Sequence, residues 1–265
     1  MKSEAGPPKL PKLDSNNSLD LYIIMKTSFS RAAVDLFCEC PRCFYLQHKF
    51  GLKRPPGFPF TLNAAVDRLT KAEFDHYRDM QTSHPLMKSL GLNLIPLNHS
   101  KMNDWRNSRR GVRAHFQGYE FFGVVDDVWN TQDGKSWHVV DYKATAKKDP
   151  VTELDETADH HQSYQRQVSF YTWLLAQNGF PVSDLTYFVY STGDNQVGAF
   201  NDQLVFRTCL IEHRCNTSWI EPTLSALIQC LESEELPNSS EKCTHCDYIE
   251  KSNHLISTLT HDIAC

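Results

Sequence analysis

The sequence contains no run near the ~18 consecutive apolar residues that a membrane-spanning helix needs, and its opening, MKSEAGPPKLPKLDSNNSLD, lacks the apolar stretch of a secretory signal. A cytoplasmic protein is therefore expected, with no membrane partner. Basic charge is not in excess either. A net charge of -5 excludes a chain that coats nucleic acid through its whole surface, while leaving room for a local basic groove. There is no internal repeat. Nine cysteines, an odd number, do not make a closed disulfide framework, and in a reducing compartment thiols are more often buried, catalytic or metal-bound.

What is present fits a globular fold. A chain of 265 residues with 40% hydrophobic and 11% aromatic residues can bury a real core. Residues 1–25, proline-containing and polar, read as a disordered tail, and 26–265 as a single domain. From Ser28 or Ser30, either a suitable cap, a helix runs to Gly51, bent or interrupted at Pro41. Residues 61–80 form a second helix. The period then shifts to two, and 112–118, 119–129 and 137–145 read as strands, the last two joined by a turn containing Asp133-Gly134. A helix over 163–179, strands over 185–191 and 203–211, and a helix over 218–233 opened by a Ser218/Glu221 capping box complete a mixed α/β order.

Two groups of residues carry chemistry. In WHVVDYKAT, strand alternation places Asp141 and Lys143 on one face and Tyr142 on the other, and a hairpin can bring Asp126 alongside. Carboxylate and carbonyl oxygens are hard ligands suited to Mg²⁺ or Mn²⁺, and a lysine beside the ion can hold or help deprotonate the attacking water, the arrangement of metal-assisted phosphodiester hydrolysis. An Asp-x-Lys on a strand is more commonly a solvated ion pair. Against that reading, both carboxylates follow apolar runs, GVV and WHVV, where burying a charge without a purpose is costly. The second group is Cys40 and Cys43 in FCECPRCFYL, a C-x2-C that is half a tetrahedral site, and Cys243 and Cys246 in EKCTHCDYIEK, which supply the other half. The bland alternative is four small buried residues.

Gly123-Val124-Val125-Asp126, Asp141-Tyr142-Lys143 and Gln167-Val168-Ser169-Phe170-Tyr171 resemble, in order and spacing, the G-x-x-D, D/E-x-K and Q-x-x-x-Y motifs of the PD-(D/E)XK nuclease superfamily. With SFSRAAVDLFCECPRCFYL, the likeness spans residues 28–248 and is greatest to the RecB-type exonuclease branch, which includes the CRISPR-associated adaptation exonucleases. The resemblance implies an α/β fold with a restriction-endonuclease-like core: a central mixed sheet flanked by helices, its amino- and carboxyl-terminal helical segments joined by a cysteine cluster. It makes Asp126, Asp141 and the Tyr142 backbone carbonyl ligands of Mg²⁺ or Mn²⁺, Lys143 the catalytic lysine, and Gln167 and Tyr171 residues that bind DNA and brace the site. It assigns an iron-sulfur cluster to the cysteines, for which Zn²⁺ is an alternative.

Two positions depart from the family pattern. Asp67 stands where relatives often carry a metal-binding histidine, and Ser252 stands where a third carboxyl-terminal cysteine is expected, so that Cys43 would have to replace it. Asp127, pointing away from Asp126, is assigned a structural role or one in supporting the metal ligands from behind. Arg106, Arg109, Arg110 and Arg113 offer a positive path for a phosphate backbone. The expected protein is a Mg²⁺-dependent deoxyribonuclease, an exonuclease rather than an endonuclease. It would act in repair, recombination or defence, with DNA and a helicase or other repair or defence protein as partners. The alternative is a catalytically inactive binding module on the same fold. A two-carboxylate glycosidase leaves Lys143 unexplained.

Overall fold

The structure, a computed structural model, describes residues 27–262; the expected tail at 1–25 and Cys265 lie outside the described residues. The chain enters through a short strand, β1 (Ser28–Ser30), and Ser30 caps the first helix, accepting a hydrogen bond from the Ala33 N–H at 3.3 Å. Pro41 divides the expected helix into α1 (Arg31–Glu39) and α2 (Pro41–Lys49), with an extended Cys40 between them. Proline lacks the N–H a helix interior needs but suits a first turn, so the second helix starts on it. Helix α3 (Thr61–Met80) lies where the periodicity places it. Short elements α4 (Pro85–Ser89), β2 (Leu94–Pro96) and α5 (Met102–Trp105) follow.

Residues 119–129, expected as one strand, make two. Strand β3 (Val112–Phe116) pairs with β4 (Tyr119–Gly123), which also pairs in parallel with β1. After a break at 124–126, β5 (Asp127–Thr131) pairs with β2 and with β6 (Trp137–Lys147) in a different sheet. The chain must leave one hydrogen-bond ladder to join the other, and Asp126 lies in that break. Then come α6 (Asp159–Gln177), β7 (Leu185–Asp194), β8 (Phe206–Arg214), α7 (Ile220–Glu232) and α8 (Thr244–Asp262).

The larger sheet has the order β2-β5-β6-β7-β8, with only the central β6–β7 pair parallel. It is a curled mixed sheet with helices on both sides, and both its faces are buried. Val128, Val139 and Phe188 pack with Val168, Phe170 and Leu174 of α6, while Trp129, Val140, Tyr142, Tyr187 and Val189 pack with Phe74 of α3 and with Met87. Period two along β6 therefore assigns successive side chains to opposite helices. The Ser218/Glu221 capping box is not formed: α7 begins at Ile220, and Glu221 Oε1 instead accepts a hydrogen bond from Trp173 Nε1 at 3.2 Å. Tertiary packing outcompetes the local cap.

Candidate active site

Asp141 and Lys143 leave β6 on the face that meets α6, and Asp141 is fully buried there. Their ends form an ion pair, Lys143 Nζ to Asp141 Oδ2. Gln167, on α6, ties the two together: its Nε2 donates to Asp141 Oδ1 at 2.7 Å, and its Oε1 accepts from Lys143 Nζ at 3.2 Å. One turn further along the helix, the Tyr171 hydroxyl accepts from Gln167 Nε2 at 3.2 Å. Burial pushes that phenol up to about 12, so it stays protonated at neutral pH.

Asp126 joins them through the hairpin. Asp127 is paired with Val140, so the register carried one residue further sets Asp126 beside Asp141. Its Oδ2 accepts from the Tyr142 backbone N–H at 3.1 Å, which seats the carboxylate on the strand that carries Asp141 and Lys143. Asp67 comes from α3, and Lys71, one turn on, links it to Asp126: Lys71 Nζ lies 2.9 Å from Asp67 Oδ2 and 2.8 Å from Asp126 Oδ1. A cavity of about 300 Å³ opens beside Lys143, between Asp67 on α3 and Tyr164 on α6. Lys143 Nζ stands 4.3 Å from the centre of the Tyr164 ring.

The two carboxylates respond differently to burial. Burial is the largest influence on Asp141; with the charge of Asp126 it outweighs Lys143 and raises the Asp141 carboxyl to about 7. Burial also opposes ionisation of Asp126, but Lys71 and Lys143 overcome it and lower its pKa. Two like charges in one buried site cannot both ionise freely. The Asp141 Oδ2 atom is buried, with the Lys143 ammonium against it. Two buried carboxylates side by side are a donor set that fits a divalent cation.

On the opposite face lies a buried ionic network that sequence reasoning reduced to a structural role for Asp127. Asp127 Oδ2 accepts from the Tyr142 hydroxyl at 2.5 Å, and Oδ1 lies 2.5 Å from Arg78 Nη2 and 3.2 Å from Arg106 Nη2. Arg106 also donates from Nε to the Asp126 carbonyl at 2.7 Å and from Nη1 to Asp75. Arg106, read from sequence as part of a surface path, is thus turned inward and holds the backbone of Asp126. Arg109 and Arg110 remain exposed, and Arg110 pairs with Asp104. Among the described contacts neither reaches the carboxylates. Lys71 was missed, although its i,i+4 spacing from Asp67 was a readable signal.

The four cysteines converge at the amino-terminal end of α2. Cys40, Cys43, Cys243 and Cys246 are all buried, with their sulfurs within 4.8 Å of one another. Cys43 Sγ is 3.6 Å from Cys243 Sγ and 3.5 Å from Cys246 Sγ, and Cys40 Sγ is 3.8 Å from Cys246 Sγ. Arg54 Nη2 points at the Cys243 sulfur from 3.4 Å. Burial opposes ionisation of Cys40, but hydrogen bonding from the backbone at Ser240 and Cys43 prevails and lowers it to about 7. Burial and the neighbouring thiols raise Cys246.

The chain belongs to the PD-(D/E)XK nuclease superfamily, whose family model matches residues 28–250. No curated protein matches the chain. The solved structure described as "Crystal structure of SSO0001" is similar at 11% identity, covering 80% of each chain with a TM-score of 0.36. The superfamily comprises metal-dependent nucleases, so nucleic acid is the implied binding partner.

Proposed function

We propose that this protein is a Mg²⁺- or Mn²⁺-dependent deoxyribonuclease of the RecB type, acting as an exonuclease. The observation that carries the reading is the convergence of Asp126, Asp141, Lys143 and Gln167 from three separate parts of the chain on one buried point. Asp126, Asp141 and the Tyr142 carbonyl would hold the ion. When bound, a divalent ion supplies Lewis-acid polarisation of the scissile phosphate and an acidified water. Lys143, held by Gln167 and Asp141, presents its ammonium to the attacking water or the phosphate. The buried Asp141 keeps that ammonium aimed, and Gln167 fixes both. A binding-only module has no use for a buried carboxylate pair facing a lysine, which favours catalysis over it.

The cysteine cluster is assigned to binding a metal that fastens α8 to α2. Three of the sulfur separations, 3.5 to 3.8 Å, with all four sulfurs within 4.8 Å of one another, support a single tetrahedral ion, since Zn–S bonds of about 2.3 Å put sulfurs about 3.8 Å apart. An iron-sulfur cluster would need the four sulfurs to spread.

The nuclease assignment is tested on linear single-stranded and duplex DNA with Mg²⁺ or Mn²⁺. Cleavage from ends is expected, falling by about 100-fold or more in Asp141→Ala and Lys143→Ala, as when a group acting in the transition state is removed. Wild-type rates in both variants would overturn the assignment.

A further inference from the structure

Lys71 is a charged group at the site that the proposed reaction does not use. It is three-quarters buried, and its ammonium sits between carboxylates from two distant parts of the chain, 2.9 Å from Asp67 and 2.8 Å from Asp126. An i,i+4 pair with Asp67 alone is an ordinary helix feature. Reaching Asp126 as well, 55 residues away in sequence, is not. Joining two carboxylates in this way is what a second divalent ion does in a two-metal phosphodiesterase site.

Formal charge points the same way. Asp67, Asp126 and Asp141 face Lys71 and Lys143, which leaves one net negative charge. A single divalent ion with one phosphodiester brings that to zero. A second divalent ion added with Lys71 in place would leave the site strongly positive even with substrate bound.

We propose that Lys71 is a built-in cation occupying the place of a second divalent ion between Asp67 and Asp126, so that the site takes a single ion, at Asp126 and Asp141. The proposal rests on the reading that these carboxylates bind metal. Asp67 then serves to hold Lys71 and is not itself a metal ligand.

The test counts bound Mn²⁺ on the full chain by electron paramagnetic resonance and calorimetric titration, without reference to cleavage. Any zinc or iron at the cysteines is quantified first. Wild type is expected to bind one Mn²⁺ at the carboxylates, Lys71→Met two, and Lys71→Arg, which keeps the cation, one. Asp67→Asn is expected to keep one ion with an affinity within about threefold of wild type, whereas a ligand would cost about 10-fold or more. Two ions in the wild type, or one ion of unchanged affinity in Lys71→Met, would overturn the role of Lys71 while leaving the nuclease reading standing. Wild type that binds no Mn²⁺ at all would remove both. The wild-type count decides even where a variant fails to fold.

Discussion

A Cβ built on Gly123 would lie 2.5 Å from Cε1 of Tyr171. The glycine of one motif and the tyrosine of another, 48 residues on, are therefore a single packing unit: β4 can approach α6 only because position 123 has no side chain. Gly123→Ala is expected to push the helix away, at a cost of about 1–3 kcal/mol, and to weaken cleavage by displacing Gln167. Urea denaturation alongside cleavage assays checks both. Tyr171→Phe keeps the ring and should spare most of the stability; unchanged stability in Gly123→Ala would refute the contact.

Gln167 contacts both Asp141 and Lys143. Gln167→Ala should lower single-turnover cleavage by about 10–100-fold, the usual effect of removing a residue that orients a metal ligand. Stability should change little, because Gln167 is only partly buried. A wild-type rate would show that Asp141 and Lys143 hold their places without it.

Asp127 neutralises two buried guanidinium groups. Asp127→Ala is expected to destabilise by about 3–5 kcal/mol, since the half-exposed Asp75 alone would then face both Arg78 and Arg106, leaving one buried guanidinium charge uncompensated. Adding Arg78→Met should recover part of the loss. Equal stability of single and double variants in urea would argue against direct coupling.

His138 is buried on β6, and its Nδ1–H donates to the Leu185 carbonyl at 2.8 Å. Burial lowers its pKa, so the folded protein keeps it neutral while the unfolded chain protonates near its ordinary value of 6.5. Its contribution to stability is present above pH 6.5 and is lost as pH falls toward the folded pKa, by at most about 1.4 kcal/mol per pH unit. His138→Asn, which can still donate to the carbonyl, should flatten the decline in thermal unfolding between pH 6.5 and 5. An identical pH slope would exclude His138 as its source.

Metal at the four cysteines should be measurable directly. Protein purified anaerobically is expected to carry one zinc per chain, or iron with visible absorbance if the sulfurs spread to take a cluster. Stripping it should cost about 4 kcal/mol, a Tm fall of about 8–16 °C, and release α8 to proteolysis. Cys43→Ser should do the same. Metal analysis finding neither element would leave the four thiols as simple packing.

Much of the site could be read along the chain because strand alternation is a local property. That Asp141 and Lys143 share a face, with Tyr142 opposite, follows from a period of two, and so does the separation of Asp126 from Asp127. The interruption at Pro41 was equally legible, since the missing N–H acts at its own position. The break at 124–126 was not, because the segment VVDD has no punctuation and bends only to change partners between two sheets. The unused Ser218/Glu221 cap failed for a related reason: Glu221 found a stronger claim in Trp173, 48 residues away.

The longer helices, most of the longer strands, the motif residues and the two cysteine pairs can be read along the chain, because each rests on neighbours a few positions apart. Three contacts came from the packing of the whole chain: Lys71 bridging to Asp126, Arg106 turning inward to hold the Asp126 carbonyl, and the meeting of four sulfurs from the two ends of the domain. The contacts among these that join separate elements link residues 20 to 206 positions apart. Their partners are set by which helix packs on which face of the sheet, and local periodicity does not encode that choice.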